Sequence, residues 1–208
     1  MEKQLIISIG REFGSGGHVI AEALARKFAL PLYDNNLLDH IAEEKNVGQE
    51  QLRKYDERPR NKLFSRTVRG YSNSMQENVA NMQFDFLKRK AASGESFVVV
   101  GRCAETVLKG YDGLISIFVL GDKDAKLKRI KKLYRLSEED ARHLIDREDW
   151  QRKSYHNYYC KCKWGDSRNY DLSINSSRLG IEGTIDILEG YVKTLANVCI
   201  HAKIKEKV

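Results

Sequence analysis

The chain has 208 residues, 41% of them hydrophobic and 31% charged, which is enough apolar material for one sizeable core and too much for a disordered tail. Two prolines and 15 glycines exclude a proline-rich linker or a fibrous repeat. Lys and Arg number 36 against 29 Asp and Glu, and the resulting +7 fits nucleic acid, a membrane surface or a small phosphorylated ligand equally well.

The first apolar run, Leu5 to Ile9, is too short for a signal-peptide core or a membrane span. No later segment reaches the roughly 18 uninterrupted apolar residues of a spanning helix. A cytoplasmic protein with no membrane partner is expected. Leu5 to Ile9 instead suits a strand buried on both faces. A glycine turn follows, and His18 to Ala29 then places Val19, Ile20, Ala23, Leu24 and Phe28 on one helical stripe. Leu32-Tyr33-Asp34 reads as a second strand ending in an acid. Asn35 to Glu44 reads as a helix capped by Asn35 or Asn36. Gln49 to Lys90 is polar and mostly helical in pattern. Phe97 to Val100 and Leu114 to Leu120 are strands, with helices over Lys123 to Arg135 and Glu138 to Ser154. A last strand over Asp171 to Asn175 and a closing helix over Ile181 to Ala202 complete the chain.

Strands and helices thus alternate, and the strands are mostly apolar. That pattern predicts an α/β fold with a five-stranded parallel sheet and helices on both faces. Ligands of such sheets lie beyond the carboxyl ends of the strands. Those ends carry Gly10-Arg11, Asp34, Gly101-Arg102, Leu120-Gly121 and Asn175.

Four cysteines do not make a disulfide framework in a chain of this length. Cys160 and Cys162, with His156 nearby, invite a zinc reading. A structural zinc site wants four ligands, usually from two paired motifs, and there is no second pair. The thiols are therefore read as incidental, and no metal-ligating residue is expected.

Gly14-Ser15-Gly16-Gly17-His18, between a first strand and an amphipathic helix, reads as a phosphate cradle. Successive backbone N–H groups form a concave nest there, and the helix start adds partial positive charge. The usual loop, GxxxxGK[ST], ends in a lysine and a hydroxyl. Here Gly17 holds the lysine position, and His18 and Val19 follow it. Arg11 is the candidate replacement cation. The alternatives for Arg11 are a solvated charge or an ion pair with Glu12 or Glu22.

The segments IISIGREFGSGGHVIAEALARKF, PLYDNNLL, FVVVGRCAETVL, DREDWQRKSYHNYYCKCKWGD and YDLSINSS occur in order between Leu5 and Ser177. With them the chain resembles the cytidylate kinase-like family, P-loop proteins with an altered phosphate loop. The resemblance implies a P-loop NTPase fold in a single domain over residues 1–208. It further implies a helical acceptor-binding subdomain over 48–95 and a short lid over 137–168. Gly14, Ser15, Gly16, Gly17 and His18 would bind the donor phosphates. Asp34, Arg102 and Asp149 would bind the acceptor, and Arg147 and Arg152 would join Arg11 in catalysis. ATP and Mg²⁺ are implied as cofactors, with no direct protein ligand for the metal identified. The acid that follows the arginine of the Gly-Arg pair in cytidylate kinases is Cys103 here.

Plainer roles stay open at these positions. Asp34 suits a helix cap as well as a substrate ligand. Arg147 and Arg152, among Asp146, Glu148 and Asp149, also suit a salt-bridged helix face. Arg129, in the basic run Lys126 to Lys132, reads as an exposed face. Tyr155, Tyr158, Tyr159, Trp164 and Tyr170 read as packing under the lid rather than a base-stacking surface.

The expected function is ATP-dependent phosphoryl transfer to a nucleoside monophosphate, cytidylate-like, or to another small phosphorylated acceptor. The alternative is a nucleotide-binding regulatory module of the same fold with little kinase activity. Nucleic acid is disfavoured as a partner, because no recognition helix or RNP motif is present. Small nucleotides are the expected partners, and oligomeric state is open. Charge distribution agrees. Residues 1–50 carry 5 basic and 8 acidic groups, whereas residues 51–100 carry 10 and 5. The phosphate loop must then work largely through backbone N–H groups.

Overall fold

The computed structural model describes residues 4–45, 54, 56, 67–68, 71–72 and 74–205. Five strands, β1 (Ile6–Arg11), β2 (Leu32–Tyr33), β5 (Phe97–Val100), β6 (Leu114–Leu120) and β7 (Leu172–Asn175), form one sheet in the order β2-β5-β1-β6-β7. Every pairing is parallel, with Ile6 opposite Phe97 on one side and Leu114 on the other. All five predicted strands are present.

Alternation along the strands divides the core into two layers. Ile6, Phe97 and Val99 pack with α2 (Leu37–Lys45), α3 (Met75–Ala92) and the short α4 (Ala104–Val107). Ile7, Ile9, Val98 and Val100 pack with α1 (Gly17–Lys27) and α7 (Ser176–Lys205). Both faces are therefore covered, which is why the strands lack a polar side. Two further helices, α5 (Lys123–Tyr134) and α6 (Glu138–Tyr159), pack on each other through Leu127, Ile130, Ala141 and Ile145.

Two sequence expectations need adjustment. The mostly helical stretch over 49–90 is helical from Met75, and an antiparallel pair, β3 (Thr67–Val68) and β4 (Tyr71–Ser72), precedes it. Ser74 starts that helix by accepting from the Glu77 N–H, an Ser-x-x-Glu capping signal. Most of 46–73, and with it much of the expected acceptor subdomain, lies outside the described residues. The closing helix begins at Ser176 rather than Ile181, with a break at Gly180, where φ is 70°.

Candidate functional site

The turn between β1 and α1 is built by backbone. Gly14 and Gly16 both have φ near the left-handed region, +81° and +83°, where a side chain is strained. Gly16 is the residue before α1, and at that helix start the Ser15 hydroxyl accepts from the Gly17 N–H at 3.4 Å. The other N–H groups of the first turn, and its partial positive charge, face an anion. Ser15 is 1% exposed and braces the turn from inside. Its hydroxyl donates to the Glu12 carbonyl at 2.8 Å, and its own carbonyl accepts from Ser176.

Gly17 stands where the lysine of the usual loop would be. A Cβ there would lie 2.5 Å from Cβ of Arg11. The root of the Arg11 side chain therefore fills the space that a residue at 17 would need. The cation has moved from the helix start to the end of β1.

A cleft of about 430 Å³ opens beside this turn. Arg11, Gly14, Gly16, Gly17, His18, Asp34 and Arg152 all line it, so seven of the residues singled out in the sequence converge. Arg129 lines it too, against the expectation of an exposed face. Its Nη1 donates to the Gly14 carbonyl at 3.1 Å, and burial pushes its guanidinium pKa down. The Arg152 guanidinium lies 5.3 Å from the centre of the Phe13 ring, a cation–π distance that holds it at the cleft wall. Asp34 serves two roles at once. Its Oδ1 accepts from the Asn36 N–H at 3.0 Å, and its Oδ2 is 3.6 Å from His18 Nε2 in the cleft.

Below the turn sits Lys126, whose side chain is 7% exposed. Its Nζ is 3.1 Å from Glu12 Oε2 and 2.7 Å from Asp149 Oδ2. Asp149 Oδ1 in turn accepts from the Phe13 N–H at 2.6 Å. Glu12 Oε2 accepts from the Gly121 N–H at 3.1 Å. Asp149, given to the acceptor by the resemblance, thus uses both oxygens to brace the phosphate loop and does not line the cleft.

Arg102 occupies a second, smaller pocket, shared with Arg11 and Arg152. Gly101, Arg102 and Cys103 all have positive φ, 73°, 59° and 55°. Two non-glycine residues in that region cost about 1–3 kcal/mol each, a strain that clusters at functional sites. The turn sends the Arg102 side chain inward, where it is 1% exposed and 2.8 Å from Asp56. Gln83 donates to the other Asp56 oxygen at 2.9 Å. Asp56 lies in a stretch with no recognisable motif, and nothing in the sequence pointed to it. The same pocket holds His156, whose Nε2 is 2.8 Å from Glu105 Oε1. Burial alone would lower the His156 pKa, but hydrogen bonds to Cys160 and Glu105 outweigh it and raise it to about 10.

Arg147 is not brought to either pocket. It is exposed and pairs with its neighbour Glu148 at 3.1 Å. The aromatic residues pack as expected: Phe118 contacts both Trp164 and Tyr170, and Tyr159 contacts Tyr155 and Tyr158.

Residues 6–178 match the cytidylate kinase-like family. The chain belongs to that family. A cytidylate kinase of Pyrococcus horikoshii is 26% identical over 206 residues, covering 98% of this chain and 96% of its own. The crystal structure of an uncharacterised Eubacterium ventriosum protein is 38% identical, with a TM-score of 0.73, covering 91% of this chain and 99% of that one. A shikimate kinase of Bacteroides thetaiotaomicron, 15% identical, covers 91% of this chain and 98% of its own with a TM-score of 0.52, and shares the fold. The fold is thus the α/β P-loop NTPase fold, and the family supports nucleotide kinase activity in general. No helix among the described residues is long and apolar enough to cross a membrane.

Membership of a kinase-like family implies use of a nucleotide and Mg²⁺. The cradle at Gly16 and Gly17 fits phosphates, since a Cβ at either position would collide with a neighbour. For Mg²⁺ the protein offers less. The Ser15 hydroxyl is turned into the loop, and Glu12 is engaged by Lys126 and Gly121. Asp34 and Glu148 are the remaining carboxylates among the residues lining the cleft. That suits an ion held mainly by the nucleotide's own phosphates and by waters.

Proposed function

We propose that this protein transfers the γ-phosphoryl group of ATP to a nucleoside monophosphate, with cytidylate as the first acceptor to test. One observation supports this most. The phosphate loop, Asp34, Arg11, Arg129 and Arg152 meet in a single cleft at the carboxyl ends of the strands. Phosphoryl transfer asks a protein mainly to position two phosphates and to neutralise charge spread over their oxygens. The backbone of Gly14 to His18 holds the donor phosphates. Arg11 takes the part of the missing lysine, a role that suits a fork able to pair with two phosphate oxygens. Arg152, from the lid region over 137–168, adds charge on the transferring group. Asp34 and Arg102 hold the acceptor.

The test is a panel of nucleoside monophosphates with ATP and Mg²⁺, read by ADP release. Turnover highest with CMP is expected. Saturable ATP binding without turnover on any member would leave the binding-module reading in its place. Gly16→Val serves as the loop control. Its Cβ would lie 2.1 Å from Ile181 Cδ1 and 2.3 Å from Arg129 Nη1, at a φ that β-branched residues avoid. ATP affinity is expected to fall at least about tenfold, measured by calorimetry. Oligonucleotide binding that survives this change would point to nucleic acid instead.

The two lid arginines separate in the same assay. Arg152→Ala is expected to lower kcat about 100-fold, the scale of one lost charge-stabilising donor. Arg147→Ala, outside the cleft, is expected to change kcat by less than about threefold and stability by less than about 0.5 kcal/mol. Equal losses in the two variants would show that Arg147 enters the cleft during turnover.

A further inference from the structure

The end of α6 and the loop after it gather groups for which phosphate chemistry has no use. His156 lies in the last turn of α6, Cys160 ends the helix, and Cys162 follows two residues later. Cys160 N–H donates to the His156 carbonyl at 2.7 Å, so the two side chains sit one helical turn apart on one face. Cys160 leaves the helix with extended backbone, φ −104° and ψ 142°. The chain then turns Cys162 back towards α4, where its sulfur lies 3.7 Å from Thr106 Oγ1. The possible ligand atoms of His156, Cys160 and Cys162 all fall within 4.8 Å of one another.

We propose that His156, Cys160 and Cys162 bind one soft divalent cation of the zinc class. Two sulfurs and an imidazole nitrogen are the ligand set that zinc prefers. Zinc–sulfur bonds of about 2.3 Å in a tetrahedral site put two sulfurs about 3.8 Å apart. The cluster therefore needs to close by no more than about 1 Å, and half-buried Cys162 is the member with room to move. One more group supports the site. Glu105 Oε1, 2.8 Å from His156 Nε2, makes the carboxylate–histidine pair that orients a ligating ring. Buried Cys103 packs with Cys160 and Cys162 in the same cluster, and the fourth position is left to water or a small ligand. The sequence argued against zinc because it lacks a second paired motif. The fold supplies the orienting carboxylate, Glu105, from α4. A bound cation would tie the end of α6 to α4 through His156 and Glu105. This site stands whichever acceptor the cleft takes.

The experiment uses the full chain with all thiols reduced, stripped by chelation and titrated with Co²⁺ and then Zn²⁺. One equivalent of Co²⁺ is expected to give the thiolate charge-transfer band and the intense visible bands of a tetrahedral site, both displaced by Zn²⁺. Cys162→Ser, at the half-buried position, is expected to abolish the charge-transfer contribution of one sulfur while the protein still melts cooperatively. Glu105→Gln is expected to weaken Zn²⁺ about 10–100-fold, as loss of an orienting partner does. A reduced, folded wild-type chain with only octahedral Co²⁺ spectra and no stoichiometric Zn²⁺ would overturn the proposal. So would cobalt spectra identical in wild type and Cys162→Ser.

Discussion

Arg11→Ala is expected to lower kcat about 100- to 1000-fold, the range for losing one preorganised group that meets transition-state charge. KM for the acceptor should change by less than about threefold, because an interaction made mainly in the transition state leaves ground-state binding alone. The argument rests on one contact. Cβ of Arg11 lies 2.5 Å from where a Cβ on residue 17 would be, and its Cγ 3.2 Å. Gly17 is not among the glycines with positive φ, so its backbone would accept a lysine. The obstacle is Arg11 itself. Gly17→Lys alone should then disturb the loop and lower turnover as far as Arg11→Ala does. The double variant Arg11→Gly with Gly17→Lys clears the collision and returns a cation to the helix start. It should exceed both single changes in kcat. A double variant no better than Arg11→Gly would separate the two positions and remove Arg11 from the lysine's role. Steady-state kinetics on the wild type, Arg11→Ala, Arg11→Gly, Gly17→Lys and the double variant decide this.

The same turn shows what sequence makes legible and what it hides. The strands could be read directly, because a sheet covered on both faces needs continuous apolar runs, and Phe97 to Val100 or Leu114 to Leu120 contain little else. The phosphate loop could be read because its glycines sit between a strand and a helix. Arg129 and Lys126 were hidden by their neighbours. In a run with so many cations, nothing local tells the one that turns under the loop from those that meet water. The bracing contacts of Asp149 were hidden for a related reason. Its partners, Phe13 and Lys126, lie 136 and 23 residues away, and no local pattern encodes such pairings. Asp56, the partner of Arg102, comes from a region without any motif, and only the fold brings the two together. The cysteine cluster repeats the lesson, since Glu105 joins it from across the sequence.

Lys126→Met is expected to be the most destabilising of these changes. Removing one partner of a buried ion pair leaves an uncompensated charge and costs about 3–5 kcal/mol. Here two carboxylates lose their common cation. Their side chains, 28% exposed for Glu12 and 19% for Asp149, retain some water, which lowers the expected loss to about 2–4 kcal/mol. For a domain of this size that is a drop in Tm of roughly 5–15 °C. The effect should not stop at stability. Asp149 holds the Phe13 N–H and Glu12 holds the Gly121 N–H, so both ends of the brace reach loops around the phosphates. ATP affinity should therefore fall along with Tm. Asp149→Asn keeps an oxygen for Phe13 and removes the charge that Lys126 meets. Combined with Lys126→Met it should recover part of the loss, giving a coupling of about 0.5–3 kcal/mol in a double-mutant cycle. Strictly additive effects in denaturant melts would mean that Lys126 and Asp149 support the loop independently, and that the charge between them is not what fixes its shape.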